Sequence, residues 1–236
     1  MKYITVLLAL LFSAISFAQS PTSFIEKSDA FFRAHVKNGL VDYKGIKSDP
    51  SSLNELIILA KDVRVSKNDR KDYQSFWINA YNVSVIQGIV NNYPTKSPLD
   101  VKGFFDKNTY ELGGKKTTLN DLENKLLRAV FPQEARFHFV LVCAGLGCPP
   151  IISEAYTPAK LEEQLQRQTV IALNNPSFIK VKGTKVKLSQ IFEWYKGDFT
   201  QNGNEIDFIN AFRKEPISAK AKISYYPYDW TLNQTK

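Results

Sequence analysis

Phe76-Trp77-Ile78-Asn79-Ala80-Tyr81-Asn82-Val83-Ser84-Val85-Ile86 is apolar on nearly every side when wound at helical pitch. A surface helix shows one apolar stripe, whereas a helix apolar all round is buried among other elements. The stretch sits inside a predicted helix from about Asn68 to Asn91, which Tyr93-Pro94 ends because the residue before proline is pushed out of the helical region. The rest of the chain is therefore expected to wrap around this helix.

Toward the N-terminus, Pro21 to Val36 reads as an amphipathic helix with Phe24, Ala30, Phe31 and Ala34 on its apolar side. Gly39 and Val41-Asp42-Tyr43 break into an extended stretch. Ser51 or Ser52 caps a second helix through Leu53, Leu56, Ile57 and Leu59. Toward the C-terminus, Tyr110-Glu111-Leu112 and Lys115-Lys116-Thr117 flank Gly113-Gly114 as a hairpin. Thr118 and Asp121 open a helix running to Ala129. Phe137 to Val142 reads as a short buried strand, and a loop with Gly145, Gly147 and Pro149-Pro150 follows. Thr157 caps the next helix with Pro158 in its first turn. Phe178 to Leu188 is a second hairpin, turning at Gly183 and leading into a helix from Ser189 to Tyr195. A late helix spans Asn204 to Arg213, and a last strand Ala221 to Tyr225.

Helices and strands are interspersed without βαβ alternation. The class expected is α+β, a single domain with one mixed or antiparallel sheet and several packed helices. The two hairpin-plus-helix units align loosely, as a repeated supersecondary unit or by coincidence.

The first residues read as an export signal. Lys2 is followed by an apolar stretch from Ile4 to Ala18, and Ser16-Phe17-Ala18 has the small residues a signal peptidase requires. That stretch is shorter than the roughly 20 residues a membrane span needs. The expectation is a signal peptide over 1–18, a domain over 19–236 without a membrane anchor, and a periplasmic or secreted address. The whole chain holds 31 Lys and Arg against 23 Asp and Glu. Basic residues are interspersed with acids, as in Lys67-Asn68-Asp69-Arg70-Lys71-Asp72, or alternate with apolar ones, as in Lys180, Lys182, Lys185 and Lys187 around Gly183. This pattern predicts a solvated hairpin face rather than a nucleic-acid footprint. The expected partner is an unidentified envelope substrate or protein.

Phe76 to Asn82, His138-Phe139-Val140-Leu141-Val142-Cys143 through Cys148-Pro149-Pro150, Leu119-Asn120-Asp121-Leu122-Glu123 with Arg128, and Tyr228-Asp229-Trp230 together resemble the family called domain of unknown function 547. The resemblance extends from about Leu53 to Leu232 and implies an exported bacterial member. Family members often carry His directly after the Glu matching Glu123; here that residue is Asn124, so a role for that His does not apply. The resemblance implies fold and extent and no reaction.

Chemistry concentrates between His138 and Cys148. The chain has two Cys and two His. A disulfide between Cys143 and Cys148 suits an oxidising compartment and would supply only about 2 kcal/mol through loop entropy. Alternatively, one thiol is a nucleophile with His138 as base and the glycine-loosened turn supplying N–H donors. A metal site would use His138, both Cys and a carboxylate, but the spacing matches no strong zinc pattern, and neither metal nor cofactor is expected. The fourth reading is two free structural thiols beside a core His138. Asn79 and Asn82, three apart on one helix face, tie the helix to backbone, or Asn82 orients His138 and Asn79 holds a substrate. Glu123 is the candidate carboxylate, and Trp77, Tyr81 and Trp230 are candidate substrate contacts. The functional readings are a Cys/His-dependent hydrolase or acyl transferase on an envelope amide or thioester, and a glycan- or protein-binding module.

Overall fold

The structure is a computed structural model that describes residues 20–236; the expected signal peptide lies outside the described residues. Helix α1 (Pro21–His35) is capped by the Ser20 side chain. The two-residue strands β1 (Val36–Lys37) and β2 (Leu40–Val41) form a small antiparallel turn. The expected extended stretch then gives way to a short helix, α2 (Tyr43–Ser48), because Asp42 accepts from the Gly45 amide and caps it. Helix α3 (Ser51–Asp62) follows.

Helix α4 (Arg70–Asn91) is the hub. Every residue from Tyr73 to Ile86 is buried, and α1, α2 and α3 pack against it. Its two buried asparagines decide how the second half of the chain is hung on it. Asn79 donates to the Tyr156 carbonyl at 2.7 Å and accepts from the Tyr156 amide at 3.0 Å. Asn82 donates to the Val140 carbonyl at 2.9 Å and accepts from the Val142 amide at 2.9 Å. Each side-chain amide thus bonds to an irregular segment as the edge of a strand would. Buried backbone groups left unpaired are costly.

This corrects the strand expected over Phe137–Val142. Ala135–Phe139 is a 3-10 helix, Val140 closes it as a turn at ψ −18°, and residues 141–142 belong to no strand. Apolar residues on both faces are compatible with either form; the amide of Asn82 takes the place of a ladder.

Strands β3 (Thr109–Leu112) and β4 (Lys115–Thr118) form the expected hairpin. Thr118 accepts from the Asp121 amide and caps α5 (Leu119–Asp121), which continues as a π-helical stretch, Leu122–Arg128. Helix α6 (Leu161–Asn174) begins three residues beyond Pro158, since Thr157 closes a turn onto Lys160 before the helix starts.

Strands β5 (Ile179–Lys182) and β6 (Lys185–Ser189) pair antiparallel, and β7 (Lys222–Tyr226) joins β6 in parallel. Ser189 caps α7 (Gln190–Trp194). The short α8 (Lys196–Phe199) follows, then α9 (Glu205–Asn210) with an Asn204–Asp207 capping box. The class is α+β. In place of a single sheet there are, among the described residues, two two-stranded sheets and one of three strands, because α4 rather than a sheet organises the core. No helix among the described residues is long and apolar enough to cross a membrane.

Candidate active site

The Asn82 clamp leads straight into the segment that carries both cysteines. Past Val142 the backbone turns sharply, with Ala144 at φ 62°, a left-handed conformation that costs an L-residue about 1–2 kcal/mol. The C-terminal tail runs alongside and holds the turn. Leu146 and Gly147 donate to the carbonyls of Thr231 and Asp229, both at 2.8 Å, and Asn233 donates to Ala144 at 2.9 Å. A Cβ on Gly147 would sit 2.8 Å from the Asp229 nitrogen and 3.0 Å from the Tyr228 ring, so glycine is needed for this close approach.

Tail and turn together form one wall of a cleft of about 250 Å³. Cys143, Cys148, His138, Glu123, Tyr81 and Trp230 all line it. So do Asn120, Tyr195, Trp194 and Tyr228. Asn79, Asn82 and Trp77 are not among the lining residues. They are buried on α4, where the two amides serve as backbone clamps and the indole packs against Phe76 and Tyr73. The expected roles for Asn82 in catalysis and for Asn79 and Trp77 in substrate contact are corrected accordingly.

Both cysteines are free thiols, in contrast to the disulfide reading. The Cys148 sulfur accepts the Cys143 amide at 3.0 Å and the Tyr228 hydroxyl at 2.7 Å. The Tyr228 oxygen also lies 2.8 Å from the Cys143 sulfur. A hydroxyl has one proton to give, so with that proton on Cys148 the Cys143 thiol donates to Tyr228. The two sulfurs are thereby made unequal. Hydrogen bonding to Cys148 and burial push the Cys143 thiol well up. Burial also acts to raise Cys148, but hydrogen bonds from Cys143 and Tyr228 outweigh it and bring that thiol below its ordinary value. Tyr228 is itself pushed up by burial and by the neighbouring thiols.

His138 does not hydrogen-bond to either thiol. Its Nε2 donates to Asp198 at 2.7 Å, and its Nδ1 lies 4.0 Å from Glu123. Asp198 also receives a two-pronged ion pair from Arg128, at 2.7 and 2.9 Å. Burial works to raise the Asp198 carboxyl, but the bonds from His138 and Arg128 hold it well below the usual carboxylate range. With the Nε2 proton committed to Asp198, a neutral imidazole keeps Nδ1 as its free acceptor, on the Glu123 side. Tyr195 stacks on the imidazole with ring centres 4.0 Å apart and lies under the Arg128 guanidinium. Burial, and after it the Glu123 carboxylate, push the Tyr195 hydroxyl up.

Asn124 accepts from Arg128 and donates to the Asn120 carbonyl at 2.9 Å. It thus supports the Arg128–Asp198 pair. Sequence reasoning did not single out Asp198. It lies 60 residues from His138 on a four-residue helix with no motif around it, and only the tertiary fold brings the two together. Among the described residues, no three His, Cys, Asp or Glu side chains converge as a metal-ligand set.

Trp194, half exposed, stacks on Trp230 with ring centres 6.0 Å apart. Trp230 in turn contacts Tyr228 and Phe105. These rings form an aromatic shelf on the cleft wall. The arrangement therefore combines a polarised thiol pair, an oriented imidazole and a flat apolar surface.

No curated protein and no solved structure matches this chain. Residues 65–171, a span that includes α4, Glu123, His138 and both cysteines, match the model of the family described as a protein of unknown function, DUF547.

Proposed function

We propose that the cleft is the active site of a thiol-dependent hydrolase or acyl transferase, with Cys148 as nucleophile. The observation that carries this reading is the Cys148 sulfur accepting both an N–H and an O–H on the wall of a cleft that it shares with His138. Donors aimed at a sulfur favour its thiolate, the reactive form. In the proposed reaction His138 Nδ1 takes the Cys148 proton, directly or through a water. The sulfur adds to the carbonyl carbon of an amide or thioester. The tetrahedral intermediate collapses by expelling the amine or thiol, which leaves with the proton held by His138. Water or a second acceptor then adds to the Cys148 thioester, gives its proton to His138, and releases the acyl group while the thiol is restored. Asp198 holds the imidazole, as a buried carboxylate does in nucleophile–histidine–acid sites. The amide of Ala144 donates to no backbone carbonyl and is a candidate donor to the oxyanion.

We further propose that the chain acts outside the inner membrane, on an envelope substrate, after removal of residues 1–18. The test is alkylation of non-reduced protein by iodoacetamide, with the sites located by peptide mass. Cys148 should react first and Cys143 slowly, and Cys148→Ser should abolish turnover of model thioesters. The proposal is overturned if neither thiol reacts and the two are found joined, or if Cys143 is the faster.

The aromatic shelf supports a second reading, a glycan- or protein-binding module in which the thiols only shape the turn. Trp194→Ala and Trp230→Ala should then weaken ligand binding while Cys148→Ser leaves it intact; unchanged binding in both Trp variants would remove this reading.

A further inference from the structure

The sheet β5–β6–β7 has a face that takes no part in the cleft. Register places Lys180 opposite Lys187 and Lys187 opposite Ser224; in the next row Lys182 faces Lys185, and Lys185 faces Lys222. Cross-strand partners share a face, as do residues two apart along a strand. One face is therefore a grid of two rows by three strands in which five of six positions are lysine and the sixth is Ser224. All five lysines are exposed, and none forms an ion pair among the described residues. On the opposite face Ile179, Val186 and Leu188 are buried, while Val181 at its outer edge is 46% exposed.

Strands lie about 5 Å apart and alternate residues about 7 Å apart, so these ammonium groups repel one another. Like charges directly opposite weaken a sheet. Protection against edge pairing accounts for lysine on the outer strands β5 and β7, but not for Lys185 and Lys187 on the central strand.

The surroundings indicate what such a face would take. Lys180 lies 4.2 Å over the ring of Tyr226, one residue pair beyond the grid. Because β6 and β7 are parallel, they end on the same side of the sheet. β6 leads through Ser189 into α7 with Trp194, and β7 leads into Tyr228 and Trp230. A track of positive charge thus runs toward the aromatic shelf. Stacking surfaces that follow the lysines suit sugar rings bearing anionic groups. The face itself carries no apolar side chain to enter a bilayer, and its one aromatic residue is a poor platform for a run of bases.

We propose that this face binds an acidic polysaccharide, a chain of carboxylate-bearing sugars, and leads it toward the cleft. The proposal does not depend on Cys148 chemistry, so it is tested by binding alone. Full-chain protein without residues 1–18 is titrated with polygalacturonate oligomers at low and at physiological salt. The triple variant Lys182→Gln, Lys185→Gln, Lys222→Gln should bind roughly a hundredfold more weakly and lose much of its salt dependence. A charge-matched control, Lys44→Gln, Lys47→Gln, Lys67→Gln, changes exposed lysines outside the sheet and should stay within about threefold of wild type. Thermal melting confirms that both variants are folded. Equal losses in the two triples would reduce the effect to net charge and overturn the proposal. So would absence of binding by wild type, or grid-dependent binding to phosphatidylglycerol vesicles without binding to polygalacturonate.

Discussion

Replacing Asn82 by Ala should cut the support of the cysteine turn without touching a cleft residue. The amide makes two bonds, to the Val140 carbonyl and from the Val142 amide. Val140 and Val142 are 1% and 4% exposed, so neither backbone group can turn to bulk water. An orphaned buried group costs roughly 1–3 kcal/mol. The lower part of that range applies to each, because a water can enter the space vacated by the amide. The expected loss is therefore about 2–4 kcal/mol, a large fraction of the roughly 5–15 kcal/mol that holds a domain together. Urea denaturation followed by tryptophan fluorescence measures it as a lower midpoint at unchanged slope. Alkylation of Cys143 and Cys148 should accelerate together, since the turn they share loosens. A loss below about 1 kcal/mol would refute the clamp and return Asn82 to the role of an ordinary buried amide. Asn79→Ala removes the equivalent clamp on Tyr156 and should cost a similar amount while leaving thiol reactivity nearly unchanged.

Tyr228→Phe deletes the hydroxyl between the two sulfurs; a hydrogen bond to a charged group is worth about 1.5–3 kcal/mol, so the pH midpoint of Cys148 alkylation should rise by roughly one to two units. Asp198 has a folded-state carboxyl held below its unfolded value near 3.8. It therefore contributes stability that is present above that value and lost as pH falls through the depressed one. Wild type should lose stability more steeply than Asp198→Asn as urea midpoints are followed from pH 5 downward. Gly147→Ala forces a Cβ against Asp229 and the Tyr228 ring and should destabilise by about 1–3 kcal/mol, with altered near-ultraviolet circular dichroism from the displaced aromatic shelf. Expression in a Gram-negative host should yield envelope protein whose N-terminus is Gln19, read by intact mass; a retained Met1 would contradict the export proposal.

The local signals in this chain are those that depend on neighbours along the backbone. Serine, threonine and asparagine caps at Ser189, Thr118 and Asn204, glycine turns at Gly113-Gly114 and Gly183, and the all-round apolar run in α4 are properties of a few adjacent residues. They determined the main helices, both long hairpins and the expectation that α4 lies at the centre. The same short-range chemistry drew attention to His138, Cys143, Cys148 and Glu123, which line one cleft. It failed where partners are distant. Residues 137–142 looked like a strand because apolar periodicity does not reveal whether a ladder partner exists, and here a side-chain amide of α4 took that place. Asn79 and Asn82 looked like candidate reactive groups because the backbone segments that consume their hydrogen bonds lie 77 and 58 residues away. Asp198, the partner of His138, and Tyr228, the hydroxyl that makes the two thiols unequal, are separated from their partners by 60 and by 80 or more residues. Only the fold brings them within bonding distance. Likewise the alternating lysines of one hairpin were visible in the chain, but the parallel strand that adds Lys222 and completes their grid is a tertiary fact, because a strand's partner is chosen by packing and not by its own residues.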